Sequence, residues 1–141
     1  MRILIACVSI AAALLAPQAH AAEHPAAWSR PTAPFKIFGN LYYVGTEGIS
    51  VFLLTGPAGH VVIDGAMPTS GPLIVANIRK LGFEPRDVKR ILINHAHYDH
   101  TGGLAALKAA TGAQLAASAA DKPHLEAGRT LDGRSWTPSR P

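Results

Sequence analysis

At 141 residues, 48% hydrophobic and 16% charged, the chain is long enough for one modest core and too apolar for a disordered segment. Its net charge of +4 is carried by cations scattered through Arg79, Lys80, Lys89, Arg90 and Lys108 without interleaved aromatics. That is the pattern of a solvated surface and argues against a nucleic-acid partner.

In chain order, residues 1–21 read as a secretory signal peptide: Arg2 gives a positive start, residues 3–15 an apolar stretch, and Ala19-His20-Ala21 a small-x-small cleavage site. A membrane span needs about 20 apolar residues, and Pro17-Gln18 interrupts this run first, so cleavage after Ala21 and a periplasmic product with no stable membrane anchor are expected. Cys7, the single cysteine, leaves with the leader, so no disulfide is expected.

Residues 22–34, rich in Ala and Pro, predict an irregular arm in which Trp28 serves more readily as a packing anchor than as a substrate contact. Gly39-Asn40 suits a two-residue turn between strands at 35–38 and 41–44. A second hairpin is expected from 49–55 and 60–64 around residues 56–59, and its consecutive aliphatics suggest strands covered on both faces. Asp64 closes that hairpin; its carboxylate either caps the next turn or accepts an imidazole N–H from a nearby site. Pro72 fits the first turn of a helix over 73–81 stopped by Gly82. Residues 88–93 form a strand, 104–110 an Ala-rich helix ended by Gly112, and 113–117 another strand. Residues 119–127 form a weaker helix containing Pro123. Hairpins followed by alternating strand and helix predict an α/β (α+β) domain with a mixed sheet.

The densest chemistry lies in Asn94-His95-Ala96-His97-Tyr98-Asp99-His100-Thr101-Gly102-Gly103. Imidazole and carboxylate are zinc ligands, and a run that follows an apolar strand and precedes a helix is no compositional tract. His95 and His97 are two apart, so in an extended segment both rings project from one side, while the adjacent Asp99 and His100 cannot share that direction.

His-x-His-x-Asp-His in this setting resembles the metallo-β-lactamase superfamily, and residues 42–47, 63–68 and 113–120 resemble class B, subclass three β-lactamases in particular. The resemblance covers about residues 28–128 and implies the N-terminal half of an αββα sandwich, with a signal peptide at 1–21, an arm at 22–34, the half-domain at 35–128 and a divergent tail at 129–141. It makes His95 and His97 ligands of a first zinc, Asp99 and His100 ligands of a second, and Asp64 a carboxylate beneath the loop. It further implies β-lactam hydrolysis by hydroxide held on the metals, with Asp99 orienting the attacking oxygen. The family draws a further histidine for each zinc from its C-terminal half, which this chain does not reach, so the sheet face that half covers is expected to be open here; His24, His60 and His124 sit in no matching context. A glyoxalase-like thioester hydrolase and a non-catalytic zinc-binding fragment are the competing expectations.

Overall fold

The computed structural model describes residues 24–132, so the predicted leader and residues 133–141 of the tail lie outside the described residues. Six strands form one mixed sheet in the order β1-β2-β3-β4-β5-β6: Phe35–Phe38, Leu41–Tyr43, Phe52–Leu54, His60–Ile63, Val88–Leu92 and Gln114–Ala116. The first four make an antiparallel meander, because short Gly-bearing turns can only return the chain alongside itself. Gly39 takes φ +51° in the first of these turns, where a side chain would be strained.

Parallel neighbours need longer crossovers, and β5 and β6 are both parallel to their predecessors. Helix α1, Ser70–Lys80, joins β4 to β5. It buries Ile74, Val75, Asn77 and Ile78 on one stripe, carries Arg79 and Lys80 in its last turn, and is followed by Gly82 at φ +86°. Helices α2, Tyr98–Thr101, and α3, Leu104–Thr111, join β5 to β6. A short α4, Lys122–Glu126, follows β6; it starts later than the sequence suggested, and Pro123 is tolerated because it falls in the first turn, where its missing N–H has no helical partner to lose.

The aliphatic strands suggested cover on both faces, but among the described residues one face of the sheet is covered and the other is open, as expected from a likeness confined to one half of the sandwich. Register aligns Tyr42, Leu53, Val62, Ile91 and Leu115 across the strands, and Leu53, Val62 and Ile91 are fully buried with Ile74, Ile78, Leu104 and Leu107 from α1 and α3. The alternate row carries Phe35, Tyr43, Phe52, Ile63 and Leu92, none of them buried, with Phe35 52% and Leu92 39% exposed. Both crossover helices lie over the first row, and side chains alternate along a strand, so the second row receives no helix.

The arm is also less irregular than expected. Residues Ala26–Trp28 form a 3-10 turn, and Pro31 bridges Thr46. Gly48 N–H donates to Ala27 O at 2.8 Å, Glu47 N–H to Arg30 O at 2.9 Å, and Thr46 Oγ1 to Trp28 O at 2.9 Å. These bonds tie the arm to the loop between β2 and β3.

Candidate metal centre

Strand β5 ends at Leu92, but the two parallel ladders continue for one more bond each. Asp64 N–H donates to Leu92 O at 2.8 Å and Ile93 N–H to Ala116 O at 3.2 Å. Beyond them, residues 94–97 leave the sheet without forming a strand, and His97, in extended conformation, begins the single turn of α2. The expected extended segment is therefore short, and Asp99 and His100 lie in a single helical turn ahead of Gly102-Gly103. The His97 carbonyl accepts His100 N–H, Thr101 N–H and Thr101 Oγ1 at 3.1, 3.0 and 2.9 Å, closing that turn.

This path brings three imidazoles and two carboxylates together. His95 Nε2 and His97 Nδ1 are 2.8 Å apart, and the rings of His95 and His100 are centred 4.2 Å apart. His100 Nε2 lies 3.6 Å from Asp99 Oδ2, while its other nitrogen, Nδ1, lies 2.9 Å from Asp64 Oδ2. The second contact has ion-pair distance without hydrogen-bond alignment, leaving a buried ring nitrogen short of a well-aimed partner. Asp64 uses its other oxygen to accept Asn94 N–H at 2.8 Å. One buried carboxylate thus ties the end of β4 to the first residue of the histidine loop and to its last histidine. Asp64 adopts φ +69°, a left-handed conformation that Asp tolerates better than most residues.

The two glycines after α2 permit this packing. A Cβ on Gly103 would sit 2.2 Å from Gly65 O, and one on Gly102 would sit 2.5 Å from Pro68 Cδ. Gly65 N–H donates to His100 O at 2.8 Å, so the Asp64 turn and the histidine loop lie backbone against backbone.

Electrostatics separates the histidines. Burial lowers the His95 pKa, helped by the neighbouring His100 and His97 and opposed by Asp99 and Asp64, so His95 favours the neutral ring that a metal requires. Asp64 raises that of His100, against a lowering by burial. In the metal-free chain the His100–Asp64 contact therefore has ion-pair character.

Among the described residues no three His, Cys, Asp or Glu side chains close on one point tightly enough to hold an ion as they stand. The donors nonetheless suit zinc in type and direction. Two nitrogens bound to one tetrahedral zinc lie about 3.3 Å apart, so the His95–His97 pair needs to open by only about half an ångström to admit it.

A cavity of about 280 Å³ opens beside the loop, walled by Trp28, Ser50 and Phe52 on one side and by Asp64, Asp99 and His100 on the other. His95 and His97 do not line it. Trp28 was expected mainly as an anchor; it packs against the core and also forms part of this wall. Among the described residues the other histidines have other surroundings: His60 meets Phe83 and accepts Gly56 N–H at Nδ1, His24 stacks on Trp28 and on Tyr98 of the loop itself, and His124 lies in α4.

Sequence reasoning missed Asp121. Its Oδ1 accepts the N–H of Ala96, the residue between the two paired histidines, at 3.0 Å, and its Oδ2 accepts Ser118 Oγ at 2.7 Å. The Ser118 hydroxyl, with the Ala96 N–H, holds the carboxyl below its usual pKa range against the opposing effect of burial. Ser118-Ala119-Ala120-Asp121 has the Ser-x-x-Asp form of a helix-start box, and that was the available signal.

Comparison with known proteins bears on the same region. The family model described as "Metallo-beta-lactamase superfamily" matches residues 44–135. The solved structure of MEM-A1, a subclass B3 metallo-beta-lactamase isolated from a soil metagenome library, is 41% identical with a TM-score of 0.75, covering 79% of this chain and 45% of its own. The N-acyl homoserine lactonase AttM of Agrobacterium fabrum is 36% identical over 45% of this chain and 32% of its own length. A hydroxyacylglutathione hydrolase of Albidiferax ferrireducens is 44% identical over 34% of this chain and 18% of its own. The chain thus spans just under half of the solved relative and a third or less of the curated ones. The matched residues run from the end of the first hairpin through the whole histidine loop and Asp121, and on that basis the chain belongs to the metallo-beta-lactamase superfamily, with subclass B3 enzymes among its structural neighbours.

Proposed function

We propose that the chain carries the histidine-rich half of a zinc-dependent hydrolase that opens the β-lactam amide, with His95 and His97 holding one zinc and Asp99 and His100 the other. The observation that carries this reading is the meeting of His95 Nε2 and His97 Nδ1 at 2.8 Å, beside a cavity walled by Asp99 and His100. Its β-lactam specificity rests on the likeness to a subclass B3 enzyme over 79% of the chain. Zinc would supply Lewis acidity and, near neutral pH, a nucleophile from water.

The chain's own residues have distinct parts in such a reaction. Asp64 holds His100 and the Asn94 peptide, fixing both ends of the loop. Asp99, which borders the cavity and is partly exposed, would orient the attacking water and take its proton. The oxygen adds to the carbonyl carbon, the ring C–N bond breaks, and the proton passes to the released nitrogen. Trp28 and Phe52 offer apolar walls for the substrate's ring system. Action on a small antibiotic met outside the cytoplasm agrees with the leader predicted for this protein at residues 1–21, and among the described residues no helix is long and apolar enough to cross a membrane.

The lactonase and thioester hydrolase likenesses favour a second reading within the same chemistry, attack of water on an activated acyl carbon. Turnover of a chromogenic cephalosporin, an N-acyl homoserine lactone and an acylglutathione thioester by the zinc-loaded protein separates them. The β-lactam reading expects the cephalosporin to be the best substrate; preference for either of the others refutes it, and zinc binding without any turnover supports a non-catalytic zinc protein.

A further inference from the structure

We propose that Asp121 is a positioning residue for the metal loop: its carboxylate pins the Ala96 peptide and so fixes the directions in which His95 and His97 project. The inference rests on the reading that these two histidines hold zinc.

Ala96 is fully buried, and both of its backbone groups are bonded to chain outside the loop. Its N–H donates to Asp121 Oδ1 at 3.0 Å, and its carbonyl accepts Leu131 N–H at 2.8 Å. With one group of each flanking peptide held, the 95–96 peptide through its N–H and the 96–97 peptide through its carbonyl, the backbone that carries the two histidines cannot swing freely. The pinning carboxylate is itself held. Asp121 is only 6% exposed; its Oδ2 accepts Ser118 Oγ, and its own N–H donates back to the same oxygen at 3.1 Å. Its carbonyl also accepts His124 and Leu125 N–H at 3.0 and 3.1 Å in the first turn of α4. Among the described residues the Asp121 carboxylate accepts hydrogen bonds from the Ala96 N–H and the Ser118 hydroxyl, so its hold on the loop runs through the backbone. Asp64 secures Asn94 at the start of the loop and His100 at its end, and Asp121 secures the middle.

The test compares Asp121→Ala, Asp121→Asn and Ser118→Ala in the full chain. Zinc affinity is read by chelator competition, and ligand geometry by the visible spectrum of the cobalt(II)-loaded protein. Exchange of the Ala96 amide is followed in the metal-free chain. Asp121→Ala is expected to weaken zinc binding by roughly 10–100-fold, alter the cobalt spectrum and speed Ala96 exchange. Asp121→Asn keeps an acceptor for Ala96 and should restore affinity to within a few-fold of the parent, whereas a purely charge-based role would leave it as weak as Asp121→Ala. Unchanged affinity and spectrum in Asp121→Ala, or no recovery in Asp121→Asn, overturns the proposal. If Asp121→Ala does not fold, Ser118→Ala, which releases the carboxylate without removing it, should weaken zinc severalfold, and wild-type affinity there is equally fatal. A parent chain that binds no zinc through His95 and His97 overturns both this inference and the metal reading, whereas a parent that binds and an Asp121→Ala that binds as well overturns this inference alone.

Discussion

Asp64 is the most informative single position, because two substitutions separate its two oxygens. Asp64→Asn keeps an acceptor for Asn94 N–H and tolerates φ +69°, but loses the charge beside His100. Asp64→Ala loses both contacts and places alanine in a left-handed conformation. A hydrogen bond to a charged group contributes about 1.5–3 kcal/mol and the conformational penalty adds about 1, so Asp64→Ala should cost about 2.5–4 kcal/mol in the metal-free chain at pH 8. Asp64→Asn should cost about 1 kcal/mol at that pH, the difference between a charged and a neutral acceptor. Its cost must grow on acidification. The His100 pKa is raised in the folded chain, so this contribution to wild-type stability is fully present below the unfolded histidine value of about 6.5 and is lost as pH rises through the folded one. Urea unfolding of chelator-treated protein at pH 5.5 and 8.5 measures this directly. A gap between wild type and Asp64→Asn that is constant with pH, or wider at pH 8.5, would refute the pairing.

Three further outcomes follow from the packing and the donor set. Gly103→Ala drives a methyl group to 2.2 Å from Gly65 O, so it should destabilise the fold by about 1–3 kcal/mol in denaturant unfolding and lower zinc affinity through the displaced loop. Leu53→Ala, at a fully buried position, should cost about 2–5 kcal/mol, whereas Leu54→Ala on the open face should fall well short of that; equal losses would mean the two faces are misassigned. His95→Ala and His97→Ala should each reduce zinc retained after dialysis, while His60→Ala, whose ring packs edge-on against Phe83, should not; metal analysis decides.

Much of this was legible because local chemistry and tertiary structure agree. Gly39-Asn40 encodes its turn, Gly82 and Gly112 end their helices in left-handed conformations, and an aliphatic β5 delivers the histidines where the pattern places them. The role of Asp121 is long-range: 25 residues separate it from Ala96, and nothing near either residue names the other. The open sheet face was legible only through the family resemblance, and not from the strands themselves. Val61-Val62-Ile63 reads as fully enclosed because aliphatic residues occupy both faces, but sequence carries the apolarity and not the layer that meets it. Trp28 reached the cavity wall through backbone bonds from the loop containing Thr46 and Gly48, which composition of the arm could not reveal.

The central claim is that the histidine loop binds metal through specific ring nitrogens, and long-range nitrogen–proton NMR of the histidine rings during zinc titration tests it most directly. The geometry predicts coordination through Nε2 of His95, Nδ1 of His97 and Nε2 of His100, with Nδ1 of His100 remaining the nitrogen that faces Asp64. Ring signals that do not respond to zinc, or coordination through the opposite nitrogens of His95 and His97, would contradict the account.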